Sequence, residues 1–470
     1  MLTLVVAAAL FMESLVSTVI ATSLAAMSAD LGVDPLTLKL AFTAYFVALA
    51  IFIPISGWCA DRFGAKTVFA SAIGVFTLSS VGCALAWDLH SLVAGRFCQG
   101  LGGAMMLPVG RLILLRVIPK REMVSAMAWL SIPTLFAPIL GPPVGGFITT
   151  YYHWRGIFWL NVPVGLAGLA LALWLVPQVR ADEARPMDWP GFALSGSGLA
   201  LAIFGFTLLG GLGGLGGQGG PAWLALLMTA SGLGLLAGYV RHARRSAHPL
   251  IDLGLLRVAS FRLSLVGGLM FRVAVGAMPF LLPLMLQVGF GMSAFQSGSL
   301  TFTAAVGAVT MKLTAAPILR RWGFRRVLLA NGWISSAMIA MLAAFTVHTP
   351  AALIMAVLLV GGFFRSLQFT SLNTLSYADV APDQLSRATS LVGVVQQLSL
   401  ATGVALAAML LGASRAADAR AMLAAVDFSR AFLAIGVISL LSLAWFTRLA
   451  ADAGAELSGH RHDGQATEPG

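Results

Sequence analysis

The sequence consists of apolar runs of about twenty residues, separated by short polar segments, almost to its end. An α-helix rises about 1.5 Å per residue, so a run of this length spans the roughly 30 Å hydrocarbon core of a bilayer. Hydrophobic residues make up 59% of the chain and charged residues 10%, which excludes an ordinary soluble domain. We therefore predict an all-α polytopic membrane protein with 14 transmembrane helices, at residues 3–25, 37–58, 67–87, 92–115, 127–149, 158–177, 190–211, 222–240, 263–287, 298–319, 327–347, 351–373, 388–412 and 429–447.

Basic residues are distributed unequally between the two sides of these predicted helices. Of the 29 lysines and arginines, 19 fall in segments on one side, 5 in segments on the other side and 5 inside predicted helices. Because positive charge accumulates on the cytoplasmic side, we predict a multi-pass inner-membrane protein with both termini in the cytoplasm. The net charge of +11 then reflects topology and contact with anionic membrane lipid, and no nucleic acid partner is expected.

Two polar interruptions divide the chain. Val179–Asp188 follows the sixth predicted helix, and the basic stretch Arg241–Arg262 follows the eighth. Gly210–Gly220 contains a formal GxGxxG pattern, but no strand precedes it, so we interpret this stretch as a flexible outer loop. The simplest partition is an N-terminal six-helix bundle at 1–178, a linker with two inserted transmembrane helices at 179–245, a C-terminal six-helix bundle at 246–450 and a disordered cytoplasmic tail at 451–470.

Polar side chains within the apolar runs indicate an internal cavity. Arg96 and Gln99 are three residues apart and therefore share a helix face, and Arg365 and Gln368 repeat the spacing in the second half. A cation at membrane depth costs roughly 2.5–3.5 kcal/mol, so it normally faces a polar cavity and a partner. Tyr45, Asn373, Gln396 and Gln397 are further polar residues within the apolar runs, and each of them, taken singly, is also explained as a hydrogen-bonded packing residue. The predicted substrate cavity comprises Tyr45, Gln99, Arg272, Arg365, Gln368, Asn373 and Gln396.

Glu13 is the only acidic residue that this segmentation places within an apolar run. Burial favours the protonated carboxyl group and a nearby cation favours the ionised one, so a change in access could switch its protonation. We predict that Glu13 and Arg96 form a proton-coupling site. The alternative is a permanently paired glutamate that only holds helices together. Gly64 and Gly323 occupy similar motifs 259 residues apart, and the same offset relates Glu13 to Arg272, which would place these two on opposite cavity walls.

The turn after the second predicted helix combines glycines, an acid and two cations, a composition suited to a gate between two bundles. Asp61 can accept hydrogen bonds from the first turn of a facing helix and compete with Arg62 for partners. A solvated basic turn is the alternative. A degenerate copy follows the tenth predicted helix, so the predicted cytoplasmic gate comprises Gly57, Asp61, Arg62, Gly64, Lys66, Arg321 and Gly323.

The fifth predicted helix contains the sequence Gly-Pro-Pro-Val-Gly-Gly at 141–146. Prolines kink a transmembrane helix and small residues let a neighbouring helix approach. We predict a hinge at Gly141, Pro142, Gly145 and Gly146, although a kinked and well-packed helix explains the same pattern.

No motif of an enzyme is present. Cys59, Cys83 and Cys98 show neither disulfide nor metal-site spacing, so we interpret them as small packing residues. The sequence contains no Walker A, HExxH or nucleophile-elbow motif. We therefore expect no catalytic activity, no metal and no cofactor.

Together these motifs resemble the major facilitator superfamily, and specifically its fourteen-span drug/proton antiporter family of the multidrug efflux type. Gly57–Lys66 resembles motif A, Arg96–Gly103 resembles motif B and Gly141–Gly146 resembles the antiporter motif C, within a resemblance that extends to about residue 459. It implies two six-helix bundles, alternating access and proton-driven export of amphipathic compounds. By the same resemblance Arg96 takes part in proton transfer and Asp61 in the gate.

One departure concerns the first helix. The family's motif usually has Leu-Asp at this place, whereas here Leu15 is followed by Val16. Glu13 lies on a similar face and could replace the missing aspartate. Five cations within the predicted helices against one acid favour neutral or anionic substrates.

We predict a proton-coupled secondary transporter that exports small amphipathic or toxic compounds, uses the proton gradient and functions as a monomer in membrane lipid. Two alternatives stay open. The first is a dedicated exporter of one endogenous, for instance acidic, metabolite. The second is a non-transporting membrane sensor on the same fold.

Overall fold

The computed structural model describes residues 2–119, 122–180, 186–209, 222–246, 249–381, 384–450 and 453–455, without the side chains of 123–134 and 386. The glycine pattern at 210–220 and most of the predicted tail lie outside these residues. The described chain forms helices joined by turns: α1 (Leu2–Val19), α2 (Leu24–Leu31), α3 (Lys39–Phe52), α4 (Ser56–Phe63), α5 (Ala65–Ala84), α6 (Leu89–Val117), α7 (Met123–Tyr151), α8 (Gly156–Trp159), α9 (Asn161–Leu175), α10 (Trp189–Leu209), α11 (Ala222–Ala243), α12 (Ala259–Leu284), α13 (Ala294–Met341), α14 (Ala351–Leu375), α15 (Leu385–Ala417), α16 (Ala425–Leu441) and α17 (Leu443–Phe446).

Each predicted transmembrane segment overlaps one or more of these helices. Among the described residues, 12 helical stretches are long and apolar enough to cross a membrane. The longest, Ala294–Ala344, contains the tenth predicted helix and all but the last three residues of the eleventh. Gly323 interrupts it with φ 70° and ψ 162°, outside the helical region. The fifth predicted helix lies within α7, which is not among the 12 stretches. The count of 14 crossings therefore stays a prediction.

The first-half helices pack through small residues. α5 lies against α6, α3 against α6, and α1 against α7. At Gly102 of α6 an added Cβ would lie 2.8 Å from the backbone of Ala72 and of Phe76 in α5, so only glycine permits this approach.

The second-half helices pack in the same manner. α12 contacts α15, and α13 contacts both α14 and α16. Gly307 of α13 faces the carbonyl group of Leu359, and Gly362 of α14 faces that of Ala304, each too closely for a side chain. We call the interface between the first-half helices α1–α9 and the second-half helices α12–α17 the seam.

The two inserted helices pack on one another, and α10 also contacts α3 of the first half and α15 of the second. The inserted pair therefore lies beside the seam. At Gly205 of α10 an added Cβ would lie 2.5 Å from the hydroxyl oxygen of Thr229 in α11.

Of the predicted tail, residues 453–455 are described, and an added Cβ at Gly454 would lie 2.8 Å from the Phe324 ring. The predicted domain boundaries themselves stay predictions.

Candidate functional site

Glu13 lies in the middle of α1 and Tyr45 in the middle of α3, where the two helices bring their side chains together. The Tyr45 hydroxyl donates a hydrogen bond of 3.2 Å to the Glu13 carboxylate. Tyr45 is fully buried and Glu13 is half-buried. In this conformation the Tyr45 hydroxyl contacts the predicted proton-binding residue, and the place of Tyr45 in the substrate cavity stays a prediction.

Arg96 lies over the Tyr45 ring, with its guanidinium carbon 4.2 Å from the ring centroid. Its Nη1 donates to Gln99 Oε1 at 2.5 Å, and the amide of Gln99 donates to Ser80 Oγ at 2.7 Å. Arg96 and Gln99 are both buried. The spacing thus placed these two side chains together correctly. Tyr45 contacts both Arg96 and Glu13, an arrangement that the sequence did not indicate.

Two glycines of α6 make this arrangement possible. An added Cβ at Gly100 would lie 2.5 Å from the carbonyl oxygen of Tyr45. An added Cβ at Gly103 would lie 3.3 Å from the Tyr45 hydroxyl and 3.4 Å from Cγ of Glu13. Because α6 has glycines at these two positions, both α1 and α3 can pack closely against it. Arg96 on the same helix can then lie over the Tyr45 ring.

The second half contains a separate polar group around Arg272. Its Nη2 donates to Oδ1 of Asn373 at 3.1 Å, and its Nη1 donates to the carbonyl oxygen of Ser264 at 3.3 Å. Arg272 is fully buried, and its Nε lacks a hydrogen-bond partner in the described chain. The offset that related Arg272 to Glu13 therefore relates two residues with different partners.

The second Arg-x-x-Gln pair differs from the first. Gln368 accepts from the Asn331 amide at 2.8 Å and donates to the carbonyl oxygen of Leu328 at 3.0 Å. Within the described residues Arg365 forms no hydrogen bond or ion pair, and both Arg365 and Gln396 are half-buried. The cavity role of these residues stays a prediction, because Gln99, Arg272 and Gln368 are buried in this conformation.

The predicted gate residues lie at one end of the first half. Asp61 pairs with Arg116 of α6 at 2.7 Å, and the carbonyl oxygen of Arg62 accepts from Arg180. Arg116 belongs to the same half and Arg180 to the linker that follows it, so the predicted contact between bundles is not formed by Asp61 in this conformation. Lys66 is half-buried, Arg321 is exposed, and an added Cβ at Gly57 would meet no atom within 4 Å.

Gly64 and Gly323 share a feature that explains their place in the two motif copies. Gly64 has φ 91° and ψ 138°, and Gly323 has φ 70° and ψ 162°. Residues with a Cβ rarely adopt positive φ, so both turns need glycine. The Gln178 side chain lies where a Cβ of Gly64 would be and donates to Thr67 at 2.9 Å.

The predicted hinge lies in α7, which remains helical through its prolines. Gly141 and Gly145 face the end of α1 and the turn that follows it, where added Cβ atoms would collide with Thr18 and with Val19 and Thr22. Gly146 faces the backbone of Ala294 in α13, and the carbonyl group of Pro142 lies against Gly298 of the same helix. The small residues therefore place α7 in the seam, and their role as a hinge stays a prediction.

Further contacts across the seam cluster at the end that we predict to face outward. Arg415 at the end of α15 pairs with Asp34, which follows α2, at 2.6 Å. The Gln287 amide donates to the carbonyl oxygen of Thr22 at 3.0 Å. The backbone NH of Phe295 donates to Oγ1 of Thr150 at 2.9 Å. Asp34 and Arg415 were not predicted to pair, and the only signal for this pair in the sequence is that both residues fall in predicted outer loops.

Comparison with known proteins agrees with this architecture. The family model described as Major Facilitator Superfamily matches residues 6–298 and 263–465. The "Putative multidrug resistance protein MdtD" of Cronobacter sakazakii is 36% identical over 412 residues, which cover 87% of this chain and 85% of that protein. The protein of the same name from Klebsiella pneumoniae is 37% identical with the same coverage.

Solved structures resemble the fold at low sequence identity. A D-xylose-proton symporter superposes with a TM-score of 0.67 at 16% identity, covering 96% of this chain and 98% of its own. The human organic anion transporter MFSD10 superposes with a TM-score of 0.58 at 14% identity, covering 94% and 98%. These likenesses confirm the predicted major facilitator fold. The matched family model and the MdtD relatives, which extend over most of the sequence, show that this chain belongs to the Major Facilitator Superfamily.

Proposed function

We propose that the protein is a proton-coupled secondary transporter that exports small amphipathic or toxic compounds by alternating access. Membership of a transporter superfamily and the multidrug resistance designation of the MdtD relatives support this function. The observation on which the proposal chiefly rests is the contact of Glu13 with Tyr45, whose ring lies under Arg96.

This arrangement suits reversible protonation. An ionised carboxylate among apolar helices is costly unless a donor or a positive charge compensates it. Tyr45 supplies the donor, and Arg96 supplies a positive charge over the face of the tyrosine ring. When Glu13 takes up a proton it no longer needs the donor, so Tyr45 and Arg96 can shift. Proton binding in α1 is thereby linked to the position of α3 and α6.

Alternating access requires that contacts at one end of the seam break while others form. The Asp34–Arg415 pair and the approach of α7 to α13 are the contacts to be broken when the predicted outer end opens. In that state Asp61 can leave Arg116 and bind the second half at the cytoplasmic end. We propose an inner-membrane location, cytoplasmic termini, and function as a monomer without a cofactor.

The test uses purified protein in proteoliposomes with an imposed proton gradient and a lumenal pH probe. Cationic, neutral and anionic amphiphiles are added in turn to the wild type and to Glu13→Gln. We expect substrate-dependent proton flux in the wild type and its loss in Glu13→Gln. Glu122→Gln changes an exposed glutamate in the same way and serves as the matched control. Flux that survives in Glu13→Gln would move the proton site elsewhere.

A dedicated exporter of an acidic metabolite is the second candidate. It is favoured by Arg365, a half-buried arginine whose charge no described residue pairs. The same panel separates the two functions, because a dedicated exporter would respond to one class of anion and a multidrug exporter to several chemical classes. Absence of proton flux with every compound would favour a sensor.

A further inference from the structure

The inserted helix α11 presents one continuous apolar face to the surroundings of the protein. Its opposite face, with Ala225, Gly232 and Tyr239, is buried in the protein. Residues separated by three or four positions lie on the same side of a helix, and the exposed apolar residues follow this spacing. They are Trp223, Leu226, Leu227 and Leu233. In a protein that spans a membrane, such a face contacts the acyl chains of lipids.

The same face ends in three exposed arginines. Arg241, Arg244 and Arg245, together with Ala237 and Val240, line an open cavity of ≈ 380 Å³. Within the described part of the chain, none of the three guanidinium groups forms an ion pair or a hydrogen bond. Arginine side chains bind phosphate through parallel hydrogen bonds, so a cavity lined by three of them suits a phosphate group.

The distance along the helix matches one bilayer. Trp223 and Arg241 are 18 residues apart. At about 1.5 Å per residue this separation is about 27 Å, close to the roughly 30 Å hydrocarbon thickness. Tryptophan favours the membrane interface, and arginines accumulate at the cytoplasmic one. The apolar face therefore lies at the depth of acyl chains, and the arginines lie at the depth of headgroups.

The helix end that bears these arginines is held in place from its other side. His242 Nε2 lies 2.7 Å from Oδ1 of Asp188. The Tyr239 hydroxyl donates to the carbonyl oxygen of Ile251 at 2.9 Å and accepts from its backbone NH at 2.7 Å. Because the backbone is already fixed, binding a ligand to the arginines requires little further ordering of the helix.

We propose that Arg241, Arg244 and Arg245 bind the phosphate of an anionic phospholipid whose acyl chains lie along the exposed apolar face of α11. The topological rule for positive charge explains basic residues at this end of the helix. It does not explain why three unpaired guanidinium groups line one cavity directly below an apolar face. Free phosphate shares the headgroup chemistry but would not use that face. The site gives the inserted helices a lipid-binding role that is independent of proton coupling.

The test measures lipid binding to the purified full-length protein by native mass spectrometry. Phosphatidylglycerol and phosphatidylcholine are titrated separately, and inorganic phosphate is added as a competitor. The variant Arg241→Gln/Arg244→Gln removes two of the three charges. Arg257→Gln/Arg326→Gln removes two exposed arginines from the same predicted side and is the matched control. Elution as a single species and an unchanged melting temperature show that each variant is folded. If a double variant does not fold, the corresponding single variants are measured in its place.

We expect the wild type to bind phosphatidylglycerol more tightly than phosphatidylcholine. One arginine near an anionic membrane surface contributes about fivefold to binding, so the double variant should bind phosphatidylglycerol about 25-fold more weakly. The control should bind like the wild type. Equal binding of both lipids by the wild type would overturn the proposal, as would equal weakening of the variant and the control. If inorganic phosphate binds the arginines as tightly as phosphatidylglycerol does, the acyl chains contribute nothing. The site would then be a simple anion site, and the lipid proposal would be wrong.

Discussion

Replacing Tyr45 by phenylalanine separates the two contacts of the tyrosine. The variant loses the hydroxyl, which donates a hydrogen bond of 3.2 Å to Glu13. It keeps the ring, whose centroid lies 4.2 Å from the Arg96 guanidinium carbon. A hydrogen bond to a charged group contributes about 1.5–3 kcal/mol, and 3.2 Å is long for a hydroxyl donor, so we take about 1.5 kcal/mol. This loss acts on the ionised form of Glu13, because the carboxylate is the acceptor.

The ionised form is then less favourable relative to the protonated form by that amount. A free-energy difference of about 1.4 kcal/mol corresponds to one pH unit, so the pH midpoint of substrate-dependent proton flux should rise by about one unit. The measurement is the proteoliposome flux assay repeated over a pH series. Tyr152→Phe, which removes the hydroxyl of an exposed tyrosine, is the control. An unchanged midpoint in Tyr45→Phe, or a midpoint at lower pH, would refute the coupling of Tyr45 to Glu13.

Two further predictions concern contacts outside the centre of the bundle. Burial raises the pKa of Asp188, but hydrogen bonds from His242 and from two backbone amides outweigh this effect and hold the pKa below its ordinary value. This contribution to stability is present above the unfolded-state pKa of about 3.9 and is lost as pH falls through the lower folded-state value. Asp188→Asn should therefore lower the melting temperature in detergent at neutral pH. It should also make the melting temperature fall less between neutral and acid pH than it does in the wild type. Arg415→Gln leaves Asp34 unpaired, which should increase the population that is open at the predicted outer end by about tenfold.

Both predictions have internal controls. Asp379→Asn changes an exposed aspartate that forms no hydrogen bond or ion pair within the described residues, so it should leave the acid-dependent fall in melting temperature as it is in the wild type. For Arg415→Gln, spin labels at Trp87→Cys and Met422→Cys, in a background without native cysteines, report the separation of the halves. The charge reversal Asp34→Arg/Arg415→Asp should restore the wild-type distance distribution. A distribution that is unchanged in Arg415→Gln would show that the pair does not hold this end closed.

Local spacing predicted part of the site. Arg96 and Gln99 are one helical turn apart, and a helix places such residues side by side whatever surrounds it. Gly64 and Gly323 were found from their matching motifs, and both have the positive φ that only glycine adopts readily. The second Arg-x-x-Gln pair has the same spacing, yet Gln368 accepts its hydrogen bond from Asn331 and not from Arg365. Spacing therefore determined which side chains share a face, while neighbouring helices determined their partners.

The sequence by itself determined that this chain is a helical membrane protein, because runs of about twenty apolar residues leave the backbone no other way to satisfy its hydrogen bonds in lipid. It also determined which few polar residues lie at membrane depth. The tertiary structure decided which of them meet. Tyr45 lies 32 residues from Glu13 and Arg415 lies 381 residues from Asp34, and no local pattern links residues so far apart. Their contacts depend on how closely helices approach, which is set by steric fit at glycines such as Gly100 and Gly298.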